Sequence, residues 1–163
     1  MSFNRVEPPD HLLCQTDLGV VKIRRATLAD IADLRHRVLR VGLPRESAIF
    51  TGDDLPGTRH FAAFYTDRAV SCASFHENPW QAEPAWQLRG MATDDAFRSK
   101  GVGRALLAFA ESSLRQERSD IHRLWANARV PAARFYQSLG WAIASEMFDI
   151  PTAGPHFRMT KLF

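Results

Sequence analysis

The apolar positions of this chain follow two spacings, one typical of β-strands and the other of amphipathic helices. Residues 20–27 are rich in β-branched side chains and predict a strand. The apolar side chains that come next recur at helical spacing: Leu28, Ile31, Leu34 and Val38. Thr27 or Asp30 is expected near the start of this helix, because a short polar side chain can accept a hydrogen bond from a first-turn N–H group. Residues 42–57, with three Gly and two Pro, predict a long irregular segment with one helical turn, of the kind that often forms a binding wall.

Three further strands are predicted in the middle of the chain. Residues 59–66 and 69–76 are apolar and aromatic, and the polar break Asp67-Arg68 between them favours a hairpin. Residues 85–93 predict a third strand, with Gly90 in its interior. Glycine weakens a strand at such a position unless a β-bulge or the close approach of a ligand requires it.

The rest of the chain alternates helix and strand. A helix is predicted from the glycine-rich residues near 101 to about Arg118, and later segments predict a strand, a short helix and two strands: residues 122–129, 130–140, 141–150 and 156–163. This order predicts an α/β (α+β) fold, a mixed sheet with helices on its faces. We expect residues 20–163 to form one domain. Residues 1–19 are polar and aperiodic, and predict an N-terminal arm or an extra edge element.

Composition excludes several classes of protein. The chain has 163 residues and a formal net charge of +3, and its 45% hydrophobic and 24% charged residues are typical of one globular domain. The longest apolar run, residues 105–110, is too short to span a membrane, and Pro8, Pro9 and Asp10 stand where a secretory signal would be apolar, so the cytoplasm is the expected location. Cys14 and Cys72 form no CxxC pair, and no metal site is expected. Nucleic-acid binding is not expected either, since the basic pI comes without a basic run or a stacking motif.

The segment RSKGVGRALL, residues 98–107, carries the clearest chemical signal. Gly101 and Gly103 lie between a predicted strand and a helix, where first-turn N–H groups lack intrahelical partners and carry the positive end of the helix dipole. A phosphate can accept these hydrogen bonds. The cations around the loop suit a diphosphate: Arg98, Lys100 and Arg104. A Walker loop is disfavoured because GK[ST] is absent, and a dinucleotide fingerprint because Leu106 replaces its third glycine.

From about Val20 to Phe163 the chain resembles the GNAT superfamily of acyl-CoA-dependent N-acetyltransferases. The phosphate-binding signature [RQ]xxGx[GA] of that family is matched at every defined position by residues 98–103. Its second signature, Axx[FY]Y followed by Gly-aromatic, is matched by residues 132–136 and by Gly140-Trp141. The segments LRHRVLRVG, QLRGMAT and GPHFRM, with the Asp53-Asp54 loop, look like a bacterial-type subgroup of mostly uncharacterised members.

The resemblance implies a mostly antiparallel sheet with a splayed parallel strand pair, and a wedge that takes the pantetheine of acetyl-CoA. Gly90 would be the bulge residue. Pantetheine would pair with main-chain groups of residues 91–93, Met91, Ala92 and Thr93, and the diphosphate with the loop from Arg98 to Arg104, including Ser99, Lys100, Gly101, Val102 and Gly103. Tyr136 would be the general acid, since a phenol beside the thioester sulfur can protonate the departing thiolate.

Two departures from the family affect the acceptor side of the site. The strand 85–93 offers Gln87 and Arg89 in place of the glutamate that many relatives carry, so Glu77, His76 and His156 are the remaining base candidates. Arg129 stands where relatives commonly have Asn, and would contact the cofactor phosphates or a substrate carboxylate. An acidic substrate would also suit the arginines upstream: Arg37, Arg40 and Arg45.

The expected function is therefore transfer of an acetyl group from acetyl-CoA to a primary amine of a small molecule or peptide, by direct attack in a ternary complex. A non-catalytic acyl-CoA-binding sensor of the same fold is the alternative. No metal and no membrane partner are expected, the identity of the amine stays open, and so does a homodimer.

Overall fold

A computed structural model describes residues 9–163, which form a nine-stranded sheet and three α-helices. The strands are β1 (His11–Thr16), β2 (Gly19–Ala26), β3 (Arg59–Tyr65), β4 (Arg68–Glu77), β5 (Trp86–Thr93), β6 (Arg123–Arg129), β7 (Ala142–Ile143), β8 (Phe148–Ile150) and β9 (Gly154–Leu162). The helices are α1 (Leu28–Leu39), α2 (Val102–Glu117) and α3 (Ala133–Ser138). Residues 1–8 of the predicted N-terminal arm lie outside the described residues.

The strands lie in the order β1-β2-β3-β4-β5-β6-β9-β7, and β8 also pairs with β9. Only β5 and β6 are parallel neighbours among these strands. The predicted fold class, a mixed and mostly antiparallel sheet, is confirmed. Residues 11–16 of the segment expected to be an arm or edge element pair with β2 and form one edge of the sheet.

Helices cover both faces of the sheet. Helix α2 packs its apolar side chains, such as Leu106 and Leu114, with Phe61 of β3 in the larger core cluster. Helix α1 packs Ile31 and Leu34 with the next residue of β3, Ala62, on the opposite face. Successive residues of a strand point to opposite faces, so a central strand covered on both sides is apolar throughout.

Helix α1 begins with the local signal that the sequence predicts. The Thr27 hydroxyl accepts a hydrogen bond from the Asp30 N–H at 3.2 Å, and the Asp30 carboxylate accepts one from the Thr27 N–H at 2.8 Å. The two side chains satisfy each other's main-chain donors, which is the reciprocal arrangement of a capping box.

The prediction of one continuous strand over residues 141–150 is wrong. The segment divides into β7 and β8, which pair with separate parts of β9. Between them Ser145 leaves the ladder, and its hydroxyl accepts a hydrogen bond from the N–H of Arg158 at 2.8 Å. The four residues between the two strands oppose two residues of β9, so the chain bends there.

Candidate active site

A wedge opens where the parallel strands β5 and β6 separate. Their pairing ends at Leu88 and Ala126, while β5 continues to Thr93 and β6 to Arg129. A cavity of about 870 Å³ fills the opening. Its walls come from the end of β5, the glycine-rich loop, the start of α2, the end of β6, α3 and the segment after α1. The cavity has the size of an ordinary ligand site.

Gly90 is the bulge residue on the β5 side of the wedge, as predicted. The β4–β5 register shifts beside it, and its φ of +58° lies in the left-handed region. A Cβ atom at this position would lie 2.6 Å from Nε of Arg35 and 2.7 Å from the ring of Phe50. Glycine is therefore required by the bulge and by two side chains of the protein itself.

The glycine-rich loop presents main-chain donors at the mouth of the wedge. Ser99 and Gly101 have positive φ values of +58° and +79°, and the first α-helical hydrogen bond of α2 runs from the Ala105 N–H to the Gly101 carbonyl. Within the described residues, no N–H group from Ser99 to Arg104 donates to a protein acceptor. Six donors at a helix N-terminus fit the diphosphate that the sequence predicts there.

The three cations of the loop have different surroundings. Arg98 lies beside Asp95 at 3.1 Å, and Arg104 donates to the Ser138 hydroxyl at 3.3 Å; both line the cavity. Lys100 instead donates to Asp17 in the β1–β2 turn at 2.7 Å. That hydrogen bond lowers the pKa of Asp17. The edge hairpin thus holds the Lys100 ammonium that was expected to meet a phosphate.

Tyr136 lies on the inner face of α3 and lines the cavity with only 7% of its surface exposed. Its hydroxyl is 3.5 Å from Sδ of Met91, across the wedge on β5, and its ring packs on Trp141 at a centroid distance of 5.4 Å. Burial raises the pKa of Tyr136 well above its usual range. The hydroxyl therefore keeps its proton at neutral pH and can donate it to an acceptor in the wedge.

The three candidates for the general base do not all lie at the cavity. Glu77 lies outside the cavity lining and forms an ion pair with Arg118 at 2.5 Å. His76 is also outside the lining and lies 3.0 Å from the side-chain oxygen of Gln87, which does line the cavity. Burial lowers the pKa of His76.

His156 alone of the three candidates lines the cavity, at the start of β9 and 4% exposed. Its Nδ1 lies 2.7 Å from the Gly154 carbonyl oxygen, which can only accept a hydrogen bond. Nδ1 therefore carries the proton in the neutral ring, and Nε2 carries the lone pair. That is the form of imidazole that a general base requires.

A buried ionic network behind the bulge was not predicted from the sequence. Arg35 is fully buried, and Asp53 accepts hydrogen bonds from its two terminal nitrogens at 2.5 and 3.3 Å. Arg35 also donates to the Ser74 hydroxyl at 2.6 Å, and His60 bridges the same hydroxyl and the Asp53 carbonyl. These hydrogen bonds connect α1 and the loop that contains Phe50 and Asp53 to β3 and β4, and so position Phe50 against the wedge.

Arg129 lies at the end of β6, on the cavity wall formed with the end of α1. It donates to the carbonyl oxygen of Leu39 at 3.3 Å. Arg40 and Phe50 line the same end of the cavity and were not assigned to a site together from the sequence. The only available signal for them was the high density of arginine after α1.

Among the described residues, no group of three or more His, Cys, Asp or Glu side chains is arranged to hold a metal ion. No described helix has the length and apolar character needed to cross a membrane.

Comparison with known proteins identifies the family of this chain. The model of the Acetyltransferase (GNAT) family matches residues 28–141. The Uncharacterized N-acetyltransferase YitI of Bacillus subtilis (strain 168) is 34% identical over 145 residues, which cover 87% of this chain and 96% of that protein.

Solved structures share the fold at lower identity. ElaA of Escherichia coli superposes with a TM-score of 0.73 and 20% identity, over 86% of this chain and 99% of that one. An aminoglycoside 6'-N-acetyltransferase complexed with coenzyme A has a TM-score of 0.68 and 14% identity, over 86% of this chain and 96% of that one. The family model spans helix α1, strands β5 and β6 of the wedge and the glycine loop, and the match to the Bacillus relative extends over most of the chain. This protein therefore belongs to the acetyltransferase (GNAT) family.

Proposed function

We propose that this chain transfers an acetyl group from acetyl-CoA to a primary amine by direct attack in a ternary complex. One observation carries the proposal: Ser99 and residues 101–104, whose N–H groups have no protein acceptor among the described residues, line the same wedge as Tyr136. Donors for a diphosphate and a proton for a thiolate are thus combined in one cavity.

The main chain supplies most of the binding of the donor substrate. The N–H groups of residues 99–104 hold the diphosphate, with Arg98 and Arg104 adding charge-assisted hydrogen bonds at the rim. The exposed edge of β5 at residues 91–93 pairs with the pantetheine amides as a neighbouring strand would. Gly103 keeps the path narrow but open, because a Cβ there would lie 3.3 Å from the Met91 methyl and 3.4 Å from the Phe135 ring.

Tyr136 acts on the leaving group. When the amine nitrogen bonds to the thioester carbonyl, the C–S bond breaks and the sulfur leaves as a thiolate. Among the described residues the Tyr136 hydroxyl has the Met91 sulfur as its acceptor, and in the reaction it donates its hydrogen bond and then its proton to the departing thiolate. After the attack the nitrogen, which has already lost one proton to become a free amine, releases another, which returns to the tyrosine through water.

The acceptor nitrogen must lose a proton before it can attack. An alkylamine with a pKa of about 10.4 is free in roughly one part in 2,500 at pH 7. Nε2 of His156 is the proposed base, because it has a lone pair and lies on the cavity wall. The arginines around this end of the cavity also disfavour the ammonium form, since like charges lower the pKa of an amine.

Direct attack is favoured over a route through an acyl-cysteine. Cys72 is fully buried behind β5, and burial raises the pKa of its thiol to about 11. A thiol in that state is a weak nucleophile at neutral pH. Cys14 lies in the edge strand β1, outside the cavity lining.

The second candidate is an acyl-CoA sensor without turnover. It is favoured by the absence of a carboxylate from the described strand β5 and by the ion pair that occupies Glu77. A cytoplasmic location and a homodimer stay predictions from the sequence for either function.

A turnover assay separates the two functions. Acetyl-CoA is incubated with the protein and a panel of primary amines, free thiol is followed continuously, and acetylated amine is identified by mass. The proposed function predicts equal amounts of thiol and acetylated amine that depend on Tyr136. Saturable binding of acetyl-CoA with no acetylated amine from the panel would favour the sensor.

A further inference from the structure

Three arginine side chains line the wedge around Phe50 and Leu39. Arg40 follows α1, Arg89 precedes the bulge on β5, and Arg129 ends β6; all three line the cavity. The guanidinium carbons of Arg40 and Arg89 lie 5.0 and 5.4 Å from the centre of the Phe50 ring. Arg40 and Arg129 donate to the same carbonyl oxygen, that of Leu39, at 3.5 and 3.3 Å.

The described residues supply these cations with main-chain carbonyls alone as acceptors. Arg40 also donates to the Ser47 carbonyl and Arg89 to the Thr51 carbonyl. No ion pair within residues 9–163 includes any of the three. Each guanidinium has five N–H donors, so most of them stay available to a ligand.

Asp53, the acidic side chain whose charge acts on Arg89, is already paired with Arg35. Asp53 is 6% exposed, and its two carboxylate oxygens accept from Arg35. Burial lowers the pKa of Arg89 and the charge of Asp53 acts to raise it, but the ion pair of Asp53 is with Arg35 and not with any of the three arginines. Burial, together with the positive charges of Arg129 and Arg35, also lowers the pKa of Arg40.

Arg89 is separated along β5 from the glycine loop that is proposed to hold the diphosphate of the donor substrate. Thr93 is near the glycine loop, since a Cβ on Gly103 would lie 3.6 Å from its hydroxyl. Arg89 precedes Thr93 by four residues and lies on the other side of the Gly90 bulge. A diphosphate held by residues 99–104 thus leaves Arg89 to a second ligand.

We propose that the acceptor amine carries an anionic group, a carboxylate or a phosphate, which binds to Arg40, Arg89 and Arg129. This inference rests on the proposed function. Guanidinium groups match both anions because their N–H donors form a planar fork. Arg129 and His156 are opposite each other on β6 and β9, so their side chains share a face of the sheet. This pairing also sets the orientation of the acceptor. An anion on Arg129 holds the attached amine beside Nε2 of His156.

The test compares acceptors in pairs that differ in the anion. β-Alanine is paired with β-alaninamide, and O-phosphoethanolamine with ethanolamine, at equal concentrations of free amine and saturating acetyl-CoA. We expect kcat/KM to be about 10- to 100-fold higher for the anionic member of at least one pair, as for a hydrogen-bonded charge pair. The pair that shows the preference tells a carboxylate acceptor from a phosphate acceptor.

Variants at two of the three arginines test whether they cause the preference. Arg129→Gln and Arg89→Gln should bring the anionic-to-neutral ratio close to one without changing the KM for acetyl-CoA, and Arg129→Lys should keep part of it. Arg115→Gln, on the exposed face of α2, is the matched control and should keep the wild-type ratio. A structural role alone would lower both members of a pair equally.

Binding is measured separately from turnover, so that an unsuitable amine does not decide the result. The protein saturated with CoA is titrated with each of the four amines, and its melting temperature is followed. Stabilisation by the anionic members that is lost in Arg129→Gln supports the proposal. Equal responses to both members of every pair, or none to any, overturn it. If acetyl-CoA itself does not bind, the proposed function fails together with this inference.

Discussion

The hydroxyl of Tyr136 lies 3.5 Å from the sulfur of Met91, so helix α3 and strand β5 approach each other across the wedge at the proposed acid. No oxygen or nitrogen acceptor of the described residues takes this hydrogen bond. The hydroxyl is thus buried and protonated, and its O–H group can donate a hydrogen bond to a departing sulfur.

Tyr136→Phe tests this role. The ring and its contact with Trp141 stay, while the proton donor is removed. We expect kcat to fall roughly 10- to 1,000-fold with little change in the dissociation constant for acetyl-CoA, because a positioned acid acts in the transition state. Initial rates and calorimetry give the two quantities. Tyr65→Phe, whose hydroxyl donates to Leu18 away from the wedge, is the control, and an unchanged kcat in Tyr136→Phe would show that its hydroxyl is structural.

The pH dependence of kcat/KM tests the proposed base. We expect the rate to rise with pH along a limb whose apparent pKa is the same for amines that differ by about two pKa units, because a side chain and not the substrate loses the proton. That limb should disappear in His156→Gln. His76→Gln and Glu77→Gln are the matched variants of the other two candidates and should keep it. A limb that follows the pKa of the amine in all three variants would exclude every one of these bases.

Asp53→Asn tests the buried ion pair behind the bulge. The variant leaves the Arg35 guanidinium buried without its carboxylate, and we expect the free energy of unfolding to fall by about 3–5 kcal/mol. The neighbouring Asp54 is exposed, so Asp54→Asn should change it by less than about 0.5 kcal/mol. Urea unfolding monitored by circular dichroism measures both. Equal effects of the two variants would mean that the Arg35–Asp53 pair adds no stability.

His60 should make the stability of the fold depend on pH. Burial lowers the pKa of His60 below its ordinary value of about 6.5, so on acidification the unfolded chain takes up this proton first. Stability is then fully present above about pH 6.5 and is lost as the pH falls from there towards the folded pKa. His60→Gln should flatten this loss, with a remainder from His76, whose pKa burial also lowers. His122→Gln, at an exposed site, should keep the wild-type slope, and parallel slopes for all three proteins would contradict the argument.

Features with a local signal could be predicted from the sequence. Thr27 and Asp30 lie three residues apart, so their reciprocal hydrogen bonds depend on one turn of the chain. Glycine is unfavourable inside a strand without a cause, so Gly90 indicated a β-bulge or the close approach of a ligand, and the family resemblance implied the bulge. The glycine loop and the aromatic motif of α3 together indicated the family, and with it the splayed strands.

Features that depend on distant register could not be predicted. Arg35 and Asp53 are separated by 18 residues and hydrogen-bond directly, and Arg35 also donates to Ser74 of a third element, β4. The break between β7 and β8 depends on where Arg158 of β9 presents its N–H group. Arg40, Arg89 and Arg129 come together only when α1, β5 and β6 are assembled, and single arginines in a sequence are typical of solvated surfaces.

The most direct test of the account is the dissociation constant for acetyl-CoA in the wild type and in Gly103→Glu, measured by calorimetry. Gly103 faces the wedge without a positive φ, so the variant places a carboxylate beside the proposed diphosphate site without backbone strain. Gly57→Glu, where no atom lies within 4 Å of the added Cβ, controls for the charge. We predict saturable binding of acetyl-CoA and CoA by the wild type and Gly57→Glu, and loss of this binding in Gly103→Glu. ATP and NADH should bind the wild type much more weakly. Acetyl-CoA at 100 times its dissociation constant should raise the free energy of unfolding of the wild type by about 2.7 kcal/mol. Binding of acetyl-CoA that is equal in all three proteins, or absent from the wild type, would contradict the account.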